Sequence, residues 1–147
     1  MNNLYIGWMI IISILVMYFL LSNVMIYKLD QINNNVNKVY MSLLMVSVML
    51  CIEFILMIVI MKQPISYPLL FGLLLFSLFL VYLIRQQVLI NDKQFLKSMI
   101  EHHSVALLMA EKILQKTKNP DITKLANQIY TSQTDEITLM KQLLCQT

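Results

Sequence analysis

The sequence predicts an all-α protein: three transmembrane helices followed by a C-terminal two-helix antiparallel hairpin that is half of a bundle. Three observations lead there. Hydrophobic residues make up 59% of the 147 and charged residues only 13%, with the charges crowded into the last third. The apolar residues gather in three long runs, which a soluble globular domain does not show. Beyond Arg85 the pattern changes to a helical period interrupted by one polar turn.

The first run, Tyr5 to Tyr27, is "YIGWMIIISILVMYFLLSNVMIY"; the second, Val39 to Met61, is "VYMSLLMVSVMLCIEFILMIVIM"; the third, Tyr67 to Ile84, is "YPLLFGLLLFSLFLVYLI". At ~1.5 Å per residue each can cross a hydrocarbon core of ~30 Å, the third only just. The first run lacks a basic leader and a small-residue cleavage site, so it reads as a retained span and not a signal peptide. Tyr5, Trp8, Tyr27, Tyr40 and Tyr67 sit near span ends, where amphipathic rings favour the interface. The loop "KLDQINNNVNK" is polar and expected to be ordered only at its ends. The loop "KQPIS" is short enough to force spans two and three into an antiparallel hairpin. This divides the chain into a membrane domain, residues 1–88, and a helical hairpin, residues 89–147.

The first tail helix takes Asn91 or Asp92 as its cap. The second opens with Asn119 as N-cap, Pro120 at the first helical position and Asp121 in the first turn. A short turn near Lys118 makes the two antiparallel. Two helices of this size bury little core alone, so the tail is expected to dimerise into a four-helix bundle or to dock on the membrane domain.

Several function classes fall away. A net charge of +3 gives no basic patch for nucleic acid. Cys51 and Cys145 make no disulfide framework. There is no HExxH, no glycine-rich phosphate loop and no G-x-S-x-G, so no catalytic residues are assigned and the chain is not read as an enzyme.

What stands out is methionine, twelve in all, together with adjacent histidines. Met99, His102, Ala106 and Met109 are spaced three, four and three apart and share one helical face; His103 lies about 100° round from it. On the second tail helix Ile129, Gln133, Glu136 and Met140 follow the same rule. Folding the hairpin about residue 118 sets His102 and His103 opposite Gln133 to Glu136, and Met99 opposite Met140. Thioether and imidazole together suit Cu(I) or Ag(I). Zinc more often takes cysteine or carboxylate beside histidine, and the Glu-x-x-His of di-iron bundles is missing. The same residues also fit plain packing: histidine hydrogen-bonded, methionine as core filler, Glu136 paired with a lysine and Gln133 satisfying a polar core position.

The second span has a pattern of its own. Met41, Met45, Met49, Glu53, Met57 and Met61 recur every four residues, drifting ~40° per step into a slowly winding band. An ionisable residue near mid-membrane is a functional candidate by default. Glu53 with Met49 and Met57 could hold or pass a soft cation; a protonated Glu53 bonded to a Ser or Tyr of another span is the alternative.

"FLKSMIEHHSVALLMAEKIL" and "LANQIYTSQTDEITLMKQLL" resemble domain of unknown function 305 in its membrane-anchored form, and "IRQQVLINDKQFL" and "YMSLLMVSVMLCIEFILMIVIM" look like the membrane segment of such proteins. The resemblance implies a ferritin-like helical fold and an association with copper and silver handling outside the cytoplasm. Its candidate ligands here are Met99, His102, His103, Met109 and Met140, with Gln133 and Glu136 alongside. Ala110 fits the small residue that follows the family's second methionine. Glu101 departs from the family, which has proline before the histidine pair; glutamate lets the helix run on and adds a negative charge.

Orientation draws two opposed expectations. Lys28, Lys38, Arg85, Lys93 and Lys97 lie on the side of the tail and Lys62 on the other, which favours a cytoplasmic tail. The resemblance places the tail outside, and we follow it. The reading is an integral protein of the plasma or inner membrane, a homo-oligomer, binding Cu(I) or Ag(I) for buffering, sensing or delivery to a metal-exchanging protein that the sequence does not identify. Its rivals are a metal-free membrane scaffold and a soft-cation transport component built on the second span.

Overall fold

The computed structural model describes residues 3–60, 62 and 66–146. Among these residues there are five helices, α1 (Asn3–Phe19), α2 (Val36–Val59), α3 (Tyr67–Arg85), α4 (Asp92–Leu114) and α5 (Pro120–Gln146), with 3₁₀ turns at Leu21–Asn23 and Leu29–Gln31. No strand occurs among the described residues. The chain forms two compact units: residues up to 22 with 37–89, and residues 23–36 with those from 90 onward.

In the first unit α2 and α3 are long and apolar enough to cross a membrane. The expected first span does not persist from Tyr5 to Tyr27. Helix α1 ends at Phe19 after 17 residues, about 25 Å at ~1.5 Å per residue. The chain then passes into a 3₁₀ turn at Leu21–Asn23, where the Ser22 hydroxyl donates to the Tyr18 carbonyl. Beyond it Tyr27 belongs to the other unit. Among the described residues there are thus two candidate spans and not three.

Helices α2 and α3 run antiparallel. Ser47 Oγ and Ser77 Oγ lie 2.9 Å apart, and nearer the other end the Tyr40 hydroxyl donates to the Val88 carbonyl at 3.1 Å. Tyr40 is therefore buried and bonded, not an interfacial ring, whereas Trp8 and Tyr67 are exposed. Tyr5 lies outside the residues whose side chains are described, as do Met61 and most of the "KQPIS" loop. Lys38 is buried with its ammonium 5.3 Å from the Tyr18 ring, a cation–π contact that ties the start of α2 to the end of α1. Helix α3 is apolar all round, and only Ser77 and Leu80 of it are buried.

The second unit is built on the α4–α5 hairpin. Asn91 Oδ1 accepts from the Gln94 N–H at 2.9 Å, and Asn119 Oδ1 accepts from the Asp121 N–H at 2.9 Å, so Asn91 and not Asp92 caps α4. The helices meet along a seam of three-four spacing. Leu96, Ile100, His103, Leu107 and Ala110 come from α4; Ala126, Ile137 and Met140 come from α5.

Residues 23–36 are laid as a strap along one side of this hairpin, so the loop of residues 28–38, expected to be ordered only at its ends, is bonded through most of its length. The Tyr27 N–H donates to Ser104 Oγ at 2.7 Å, and Ser104 Oγ donates to Gln31 Oε1 at 2.6 Å. Both carboxylate oxygens of Glu101 are used: Oε1 accepts the Asn33 N–H at 2.7 Å and Oε2 accepts Asn35 Nδ2 at 2.8 Å. The Val36 N–H reaches Gln94 Oε1 at 3.0 Å, and Lys141 Nζ pairs with Asp30 Oδ2 at 2.6 Å. The hydroxyls of Tyr27 and Tyr130 sit 3.2 Å apart, and this bond, with burial second, pushes the Tyr27 phenol up to about 12. Ser104 is wholly buried, so its two bonds replace water lost on folding.

Glu101 thus has a structural task that proline could not perform. Glu101→Ala should free residues 29–36 and lower stability by about 3 kcal/mol, the loss of two charge-assisted bonds at the lower end of their range. Amide hydrogen exchange would show faster exchange in 29–36 with α4 and α5 still protected; unchanged protection there would mean that other contacts hold the strap.

Candidate functional site

The seam decides where the histidines go. Its α4 stripe runs 96, 100, 103, 107, 110, so His103 faces α5 and His102 is exposed beside it. The expected face of Met99, His102, Ala106 and Met109 is the neighbouring stripe, about 100° away. Leu96, Ile100 and Leu107 fill the space between the helices, and Met109, 58% exposed, does not. On α5 the expected face is displaced in the same way: Met140 is in the core, Gln133 is half-buried, and Ile129 and Glu136 are at the margin.

Glu136 sits across the seam from His103. Its Oε2 lies 3.0 Å from His103 Nδ1, and its Oε1 accepts from the Ser132 hydroxyl at 2.8 Å. Histidine and serine, not a lysine, are therefore its partners. The His103 contact is at ion-pair distance but off the line that a hydrogen bond needs, so Nδ1 is a buried polar atom without one. Such an atom carries a desolvation cost of about 1–3 kcal/mol until something pairs with it. Burial holds the His103 pKa below its ordinary 6.5, against the Glu136 charge and with a smaller push from His102. The two imidazole rings are 5.9 Å apart at 60°.

The thioethers divide into two groups. Met140 is buried in the core cluster with Leu96, Ile100, Leu107 and Ile137, and Met99 packs against that cluster. Met99 is one turn from His103, and Met140 one turn from Glu136, so both adjoin the polar pair. Met109 lies two turns from His102, about 10 Å along the axis, on a groove of about 560 Å³ that includes Ile113, Leu125 and Ile129. By helical spacing Met99 and Met140 each lie one turn from a member of the His103–Glu136 pair, whereas Met109 lies apart. Among the described residues no three His, Cys, Asp or Glu side chains converge as a metal cage.

The second-span band winds as its spacing requires. Met41, Met45 and Met49 are exposed, Glu53 is half-buried and Met57 is buried. It passes from one side of α2 to the other and does not form a continuous lane on one face.

Sequence reading missed Ser104, Gln31 and Tyr27 as organisers of this unit. Strap bonds join polar residues without a period, so the pattern carries no signal for them; the unusual Glu101 was the one hint.

His103 gives the site a pH signature. Its folded pKa lies below the unfolded 6.5, so its neutral form suits the fold, and the stability present above 6.5 is lost as pH falls from there through the lowered folded pKa. Thermal unfolding between pH 7.5 and 5.5 should be steeper for the native chain than for His103→Gln. Equal slopes would mean that His103 bears no burial penalty.

Residues 83–144 match the model of a family described as "Domain of unknown function (DUF305)". The match starts in the last turn of α3 and takes in all of α4 and nearly all of α5. Over 144 residues the chain is 38% identical to an uncharacterized protein of Acanthamoeba polyphaga mimivirus, an alignment covering 98% of this chain and 93% of that relative. No solved structure matches. With the hairpin inside the matched span and a relative aligned over nearly the whole length, the chain belongs to the domain of unknown function (DUF305) family.

Proposed function

We propose that this is an integral membrane protein whose hairpin holds a soft metal ion, Cu(I) or Ag(I), as cargo for buffering, sensing or delivery. One observation carries the reading. His103 Nδ1 is buried without a hydrogen bond, 3.0 Å from a carboxylate oxygen, in a seam that is otherwise apolar. A ring nitrogen beside a carboxylate fits a cation that displaces its proton, and by helical spacing its neighbours are soft: Met99, Met140 and the second imidazole, His102. Imidazole with thioether is a Cu(I) or Ag(I) donor set. His103, His102, Met99 and Met140 would hold the ion, with Glu136 supplying charge; Gln133 adjoins the set, and Met109 is too far along α4 to join it in one copy. Nothing in this arrangement makes or breaks bonds, so we assign no enzymatic activity.

The membrane part of the reading rests on α2 and α3. Phe71, Leu75, Leu78 and Phe79 of α3 are exposed, an apolar surface that water would not tolerate and a bilayer would. Because residues 23–36 and the hairpin share one unit, both lie on the same side of a bilayer that α2 and α3 cross. We assign that side to the exterior of a plasma or inner membrane on the family resemblance, against the lysine distribution. A half-bundle calls for association to complete it, which makes the protein a homo-oligomer in this reading.

A metal-free scaffold is the second reading, favoured by the lack of three converging ionisable ligands among the described residues. Cu(I) titration of the detergent-purified chain against a competing chelator separates the two. The metal reading expects the His102→Ala/His103→Ala double variant, and Met140→Leu separately, to weaken binding at least about tenfold, with Glu53→Gln unaffected. Binding equal in native chain and double variant would leave the scaffold.

A further inference from the structure

The hairpin has two sides, and only one carries the strap. On the other, each helix shows a second stripe one residue behind the seam. On α4 it runs through Phe95, Met99, His102, Ala106, Met109 and Ile113. On α5 it runs through Leu125, Ile129, Ser132, Glu136, Leu139 and Leu143. In an antiparallel pair, stepping back one residue turns both helices towards the same side. The groove shared by Met109, Ile113, Leu125 and Ile129 shows that the two stripes do lie together.

This face is too large to be incidental. Phe95 is 50% exposed, Met109 58%, Leu125 56% and Leu139 54%. With Ile113, Ile122, Ile129 and Leu143 the exposed apolar area is on the order of 700 Å², close to the ~800 Å² that each partner brings to a stable interface. Paired stripes on a two-helix hairpin are the surface that a four-helix bundle buries.

We propose that a second copy of this chain covers this face and completes a four-helix bundle. The face is self-complementary along its length. Helix α4, 92–114, has its midpoint at 103, and α5, 120–146, at 133. The polar layer of His102, Ser132 and Glu136 lies at those midpoints, with apolar layers to either side. Either two-fold arrangement, hairpins parallel or antiparallel, therefore sets polar middle on polar middle and apolar ends on apolar ends. A lipid surface would press the same polar layer into hydrocarbon without partners.

The face does not depend on metal, but its consequence for the site rests on the metal reading. Two sets of His102, His103 and Glu136 would meet at the bundle centre, supplying in two copies the converging ligands that one copy lacks. The metal site is then shared between subunits.

The test uses the full chain in detergent without added metal, in a Cys145→Ser background, since Cys145 is exposed and Cys51 is buried. Ser132→Cys stands on the proposed face and Thr131→Cys, also exposed, lies off it. A short bis-maleimide should link Ser132→Cys into dimers and leave Thr131→Cys monomeric. Light scattering should show a dimer for the native chain and loss of it in Leu125→Glu/Leu139→Glu, with helicity retained by circular dichroism. A monomeric native chain, a dimer that survives the double glutamate, or linkage through Thr131→Cys alone would overturn the proposal. Copper affinity enters none of these readouts, so the dimer and the metal reading can fail separately.

Discussion

The meeting of two three-four repeats along the α4–α5 seam is the constraint from which the rest of the second unit follows. Leu96, Ile100 and Leu107 against Ile137 and Met140 set the rotation of each helix. That rotation turns His103 inward against Glu136, leaves His102 at the margin and offers Ser104 and Tyr130 to the strap. A rotation of one residue would put Met99, His102 and Met109 inside and expose leucines. The larger buried volume of the leucine stripe decides between them.

Much of this architecture could be read from the chain before any coordinates. Asn91 and Asn119 with Pro120 marked the helix starts because caps act through neighbouring backbone groups, a local effect. The α2–α3 hairpin followed from continuous apolar runs and a short connection. Three features were not legible, each for a physical reason. The first run looked like a full span because summed hydropathy does not register the long-range bonds that hold its end, Tyr27, to Ser104 and Tyr130. The α4 face was taken one residue off because both stripes carry apolar residues, and periodicity alone does not weigh Leu107 against Met109. The strap was invisible because it is held by polar bonds to Glu101, Ser104 and Lys141, which have no sequence period.

The candidate site inherits this mixture. Its composition was plain in the sequence: two histidines, three methionines, a carboxylate and an amide within two helices. Its geometry depended on the seam, which buries His103 and Met140 and leaves Glu136, His102 and Met109 on the exposed stripe beside it. A buried imidazole beside a carboxylate in an apolar seam destabilises the bundle unless something satisfies it. The proposed metal ion and the proposed second copy answer that cost in different ways, one by coordinating Nδ1, the other by closing the face around it. Glu101 belongs to a separate economy of bonds, fixing the strap on the opposite side and leaving the paired stripes free.

The most direct test of the central claim is the ¹⁵N resonance of the His103 ring nitrogens in the detergent-solubilised chain, recorded without and with one equivalent of Ag(I). The account predicts that Nδ1, buried and lacking a hydrogen bond, takes up the ion and shifts while the helix signals persist. A His103 Nδ1 resonance that does not move under these conditions would contradict it.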